Sequence, residues 1–134
     1  MLNGQIEKES VLVCVPDQDV LPELEGYLNP EHSYVATPDS QVSEWLRYHG
    51  FKNVYSFSNH DSFIPLSAKF EKVILIESRH IADTFDSLKV LRNSTIAPII
   101  VVTTTHAYPM RLYYSMGAKL VIYSKSKNIS YFIL

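Results

Sequence analysis

Five short runs of β-branched and aliphatic residues recur along this chain of 134 residues. They lie at 11–15, 53–57, 72–76, 98–102 and 119–123, and each ends in polar residues before a stretch of helical character. Runs of this length, apolar nearly throughout, are what strands look like when a parallel sheet is covered on both faces. Their alternation with helices predicts a doubly wound α/β fold, a parallel sheet of five strands flanked by helices, with residues 33–37 as a candidate sixth. In such sheets the working groups gather where strands end. The search for function therefore narrows to residues 16–19, 77–79, 103–106 and 124–126.

The connections carry their own signals. Asp17 or Asp19 can cap a short helix over 21–28, with Pro22 tolerated in its first turn and Asn29-Pro30 breaking it. Asp39 or Ser40 caps a helix to His49 that sets Val42, Trp45 and Leu46 on one face, and Gly50 suits its C-terminal turn. A weak helix over 62–69 is interrupted by Pro65. A longer one over 82–92 carries Phe85, Leu88 and Leu91, and a last one runs from Pro109 to Met116, with Gly117 ending it.

The length suits one domain with a core of its own. A hydrophobic share of 46%, a charged share of 19% and a net charge of −2 describe an ordinary globular chain, with no electrostatic reason to expect nucleic-acid binding. No apolar run is long enough to span a bilayer, so no membrane role is expected. The single cysteine, Cys14, excludes an intrachain disulfide, and with no secretion signal in the polar N-terminus it points to the cytoplasm. Residues 128–134 form an apolar stretch where a last helix would begin. The expectation is that the chain is a fragment of a longer signalling protein, or that this end packs back.

The second half of the sequence resembles the receiver domain of bacterial response regulators. Gly50-Phe51-Lys52-Asn53-Val54 looks like that family's turn into a strand. Val73-Ile-Leu-Ile-Glu77 looks like the strand that ends at its phosphoacceptor, and Pro98-Ile-Ile-Val-Val-Thr103 like its strand with a terminal threonine. Gly117-Ala118 followed by a strand and Lys125 looks like its closing segment. The resemblance implies a flavodoxin- or CheY-like sheet and a two-component phosphorelay setting. It further implies Glu77 at the acceptor position, Thr103 at the hydroxyl, Lys125 at the lysine, and Asp17 with Asp19 near the acids that hold Mg²⁺.

Each position departs from the family pattern. Glu77 replaces aspartate, and an attacking oxygen displaced by about an ångström costs roughly a hundredfold in rate. The segment Val15-Pro16-Asp17 lacks paired acids, Lys125 falls one residue late, and the loop after Glu77 lacks the usual turn. The resemblance is therefore to a pseudo-receiver with no catalytic residue, no cofactor and no metal. Glu77 is either a mimic of the phosphorylated state paired with Lys125 or a solvated acid. Two alternatives remain: a variant receiver still phosphorylated with Mg²⁺, and a small-ligand-sensing domain that uses the crevice at the strand ends.

Other residues carry weaker signals. Cys14 is followed by an acidic, glycine-free loop, so it reads as core rather than as a phosphate-carrying thiol. The chain has four glycines and no glycine-rich nucleotide motif. The histidines show no ligand spacing, although His80 and His106 each follow a strand end. Thr103-Thr-Thr105 fits an anion site or simple strand-end capping. Tyr108, Tyr113, Tyr114 and Tyr123 crowd the last part of the chain, as at an interface or as rims of ordinary packing. The expected action is docking to a protein partner, to other domains of the same chain, or to a second copy through residues 110–123.

Overall fold

A computed structural model describes residues 10–24, 26–66 and 68–125. The candidate end segment 128–134 lies outside these residues. Six strands form one sheet: β1 (Ser10–Cys14), β2 (Tyr34–Thr37), β3 (Asn53–Ser56), β4 (Phe70–Ile76), β5 (Ile99–Thr103) and β6 (Leu120–Tyr123). Every pairing is parallel and the order is β3-β2-β1-β4-β5-β6. The doubly wound α/β fold is thus the one the sequence implies, and the candidate strand at 33–37 is β2.

Period-two alternation places successive residues on opposite faces. Leu12 and Cys14 of β1 join Val73, Leu75 and Val101 in a core with Leu88, Leu91 and Tyr113, from helices α3 (Ile81–Ser94) and α4 (Met110–Ser115). Val13 and Val15 join Val35, Ile74 and Val102 in the other core, with Leu24, Val42 and Leu46 from α1 (Leu21–Leu24) and α2 (Ser40–Tyr48). Covering both faces is what makes the near-continuous apolar strands necessary. Cys14 is fully buried, and desolvation pushes its thiol up to about 12, which leaves it protonated and inert.

Local signals set the helix ends. Asp39 caps α2 by accepting from the backbone of Gln41 at 2.8 Å and Val42 at 3.4 Å. Asp17 caps a 3-10 turn, Gln18–Val20, that leads into α1. Helix α1 is a single turn, shorter than the predicted 21–28. The described residues of the predicted helix over 62–69 are not helical. Pro65 removes a donor there, and the segment is tied instead to the end of α3, with Ile64 N–H donating to Ser94 Oγ at 2.7 Å and Asn93 Nδ2 donating to the Ser62 carbonyl at 3.2 Å.

Two glycines close helices through paired backbone bonds. Gly50 N–H reaches the Arg47 carbonyl and Phe51 N–H that of Leu46; Gly117 N–H reaches Tyr114 and Ala118 N–H reaches Tyr113. Both glycines have positive φ, 84° and 116°, as this Schellman closure needs. Their surroundings differ. A Cβ on Gly50 meets nothing within 4 Å, whereas one on Gly117 would lie 2.5 Å from Arg92 Cδ. Gly50→Ala should therefore cost about 1–2 kcal/mol, the backbone penalty alone. Gly117→Ala should cost more in urea denaturation, and trimming the arm with Arg92→Ala in the same protein should remove the excess.

Candidate functional site

Connections leaving β1 wind towards β2 and those leaving β4 wind the opposite way, towards β5, so the crevice between their C-terminal ends is the switch point of the sheet. An open, polar cleft of about 500 Å³ lies there. The end of β1 supplies Asp17, the end of β2 Asp39 and Ser40, and the end of β4 Ser78, Arg79 and His80. Helix α3 contributes Asp83 and Ser87, and the crossover from β3 contributes Asn59.

These groups are held by short local bonds. Asp17 accepts from Asp19 N–H at 3.0 Å, and Asp39 is the α2 cap. Ser78 N–H donates to Thr84 Oγ1 at 2.9 Å, and Ser87 Oγ donates to Asn59 Oδ1 at 3.4 Å. Helix α3 starts at His80 with no side-chain cap. Across the mouth, Arg79 pairs with Asp19 at 2.8 Å, both side chains more than half exposed. An exposed pair of this kind stabilises by at most about 1 kcal/mol.

Beside the cleft, Glu77 anchors a buried cluster. Thr103 Oγ1 donates to one oxygen of its carboxylate and the Tyr113 phenol to the other. Tyr113 is 1% exposed. Burial foremost, and then the Glu77 hydrogen bond, push its phenol above the ordinary value of 10.0. The phenol therefore stays a donor, which is what a carboxylate with two occupied oxygens requires.

The five positions singled out by the receiver resemblance do not assemble into one pocket. Glu77 bonds Thr103 and Tyr113 rather than Lys125, which is exposed. Asp19 is taken by Arg79 and Asp17 by its own turn. Among the described residues no group of three acidic, histidine or cysteine side chains is placed to hold a metal ion. Of the tyrosines, Tyr113 belongs to the core, while Tyr108 and Tyr114 are about two-fifths exposed. Tyr123 stacks on His106 at 3.9 Å, and His80 lines the cleft instead. Asp39 and Ser40 enter the sequence analysis only as helix caps, and Asn59, Asp83 and Ser87 not at all, although all five line the cleft. The signal for Asp39 and Ser40 was the candidate strand at 33–37, whose end they follow.

The strand order decides between families. Receivers run 2-1-3-4-5, whereas the order 3-2-1-4-5-6 is that of the dinucleotide-binding sheets. The fold is of Rossmann type. The comparisons agree. No family model matches the sequence, and no curated protein does. Among solved structures, this chain is similar to "GsuK channel bound to NAD" with a TM-score of 0.57 at 19% identity, over 90% of this chain and 22% of that one. It is similar to the GsuK RCK domain with a TM-score of 0.57 at 17% identity, over 90% of this chain and 27% of that one. The chain thus spans about a quarter of the length of these neighbours.

These findings overturn the receiver resemblance, and with it the pseudo-receiver function and the two-component phosphorelay setting. Among the described residues no helix is long and apolar enough to cross a membrane.

The Glu77 cluster makes a pH prediction. Below pH 10 the phenol is protonated in both folded and unfolded chains, so its contribution to stability is fully present. Above that, the unfolded chain loses the proton first, so stability falls as pH rises towards the folded value. Tyr113→Phe should cost about 1–3 kcal/mol at neutral pH. It should also flatten the alkaline loss by up to about 1.4 kcal/mol per pH unit, read from urea midpoints at neutral pH and above pH 10.

Proposed function

We propose that this chain is a small-ligand-sensing regulatory domain, not an enzyme, which reads a polar ligand in the cleft between the ends of β1, β2 and β4. The observation that carries this reading is the cleft itself, at the switch point of a Rossmann-type sheet, where open α/β sheets bind ligands. The likeness to an RCK domain, and to a channel whose structure holds NAD, supports it.

NAD in the usual pose does not fit these residues. A dinucleotide needs a glycine-rich turn after β1 and a helix N-terminus beneath the pyrophosphate. Here the turn reads Val15-Pro16-Asp17-Gln18-Asp19, has no glycine, and brings two carboxylates to that place. The helix that follows is one turn long, and Asp17 already accepts from the turn's backbone. The cleft lining carries Asp17, Asp39 and Asp83 against Arg79 and His80, and Arg79 is partly neutralised by Asp19. Carboxylate acceptors suit a ligand that brings hydroxyl or amine donors. A nucleoside or other polyol fits this chemistry better than a pyrophosphate does.

In this reading the domain works in the cytoplasm as one part of a larger assembly. Its output passes to a protein partner or a second copy across the exposed apolar side chains of α4, of the loop before it and of β6, namely Tyr108, Met110, Leu112, Tyr114 and Leu120.

Amide NMR titration with adenosine and with NAD tests the cleft. Adenosine should give saturable shifts at Ser40, Ser78 and Asp83, with NAD binding no tighter. Asp39→Asn, which keeps a good helix cap but loses the charge, should weaken adenosine about fivefold, the difference between a charged and a neutral acceptor. Adenosine shifts absent at millimolar concentration would remove the nucleoside assignment. NAD binding tenfold tighter would show that the glycine-free turn accepts a pyrophosphate after all.

A further inference from the structure

On the far side of β2 from this cleft lies a second, smaller pocket of about 200 Å³, between α2 and the ends of β2 and β3. Its polar groups are Ser40, Ser43, Glu44, Arg47 and Ser56. Arg47 Nη1 donates to Ser43 Oγ at 2.6 Å, and Ser43 Oγ lies 2.5 Å from Ser56 Oγ. Glu44 stands one turn before Arg47, yet the arginine turns to the serine and forms no ion pair with it.

Proton bookkeeping fixes one direction in this chain of bonds. A guanidinium only donates, so Ser43 Oγ accepts from it. Ser43 is 2% exposed, and its Oγ also pairs with Ser56 Oγ, a bond in which either hydroxyl can donate. Ser56 is exposed, and its hydroxyl can turn its proton to Ser43 or to a ligand. The three side chains form one network, each bond polarising the next. With the other N–H groups of Arg47, it offers the pocket donors, on a side chain whose planar fork matches tetrahedral oxyanions.

We propose that this pocket is an anion site that takes a phosphoryl group, held by Arg47 and Ser56 with Ser43 as the positioning residue. The pocket shares Pro38 and Ser40 with the switch-point cleft, so a ligand seated in the cleft can reach it across the end of β2. The source of the phosphoryl group is either free phosphate or a phosphomonoester on that ligand. Only the second rests on the ligand-sensing reading above.

Inorganic phosphate, titrated into the whole chain at constant ionic strength, tests the site by amide shifts. Saturable shifts at Ser43, Arg47 and Ser56 are expected. They should weaken about tenfold in Arg47→Met, the loss of a charge-assisted fork, and strengthen a few-fold in Glu44→Gln as the rim carboxylate's repulsion goes. Ser56→Ala provides a second variant at an exposed position should Arg47→Met fail to fold.

Shifts that chloride reproduces, or that Arg47→Met leaves unchanged, overturn the site. Adenosine 2′-monophosphate then separates the sources. Binding tighter than adenosine, lost in Arg47→Met, identifies a phosphomonoester. Phosphate binding with no such preference identifies the free anion. Phosphate shifts without adenosine binding would keep this site and sink only the nucleoside-sensing cleft.

Discussion

The pairing of β1 with β4 is the constraint on which the rest of the molecule depends, because it joins two units wound in opposite directions. Leu12 meets Val73, Val13 meets Ile74 and Cys14 meets Leu75 in register. All six are at most 2% exposed, so a slip of one residue would exchange the side chains of the two cores. That register brings the ends of β1 and β4 level, and the cleft exists because neighbouring connections depart in opposite directions from that level edge. The polar lining of the site and the apolar packing beneath it are consequences of the same alignment.

Much of the fold was legible in the sequence because burial on both faces imposes a distinctive composition. Each of the five apolar runs became a strand, and α2 closed at Gly50 as its spacing required. Strand order was not legible. A run such as Ile99–Thr103 fits any interior position of a parallel sheet, and nothing in its composition names its neighbours. The receiver resemblance arose at this point. With 33–37 only a candidate, the strand ending at Glu77 counted as the third, where receivers keep their acceptor. With β2 in place it is the fourth, and the correspondence shifts by one strand.

The site was legible in outline and not in detail. Asp17 and the loop after Glu77 do line the cleft or border it, because strand ends converge in any doubly wound sheet. Contacts made through space were hidden. Glu77 reads as an isolated acid in the sequence, yet it binds Tyr113, 36 residues away along the chain. Likewise the adjacency of Tyr113 and Tyr114 means that both cannot face the core of one helix, but only packing against Phe85, at 5.7 Å between ring centroids, identifies the one that does. The Ser43–Ser56 contact joins a helix to an edge strand, and no local pattern announces it.

The long crossover from β3 to β4 has a further meaning. Among its described residues over 57–69 it carries no helix or strand, and it is the connection that passes from the half with α1 and α2 to the half with α3 and α4. Each half brings its own strands and its own helices and contributes residues to both cores. A cut in this connection would therefore leave two pieces whose complementary surfaces are the β1 and β4 edges. Such pieces would be natural partners for reassembly in trans, and a ligand spanning Asp39 and Ser78 would act as the clasp that makes their association depend on its concentration.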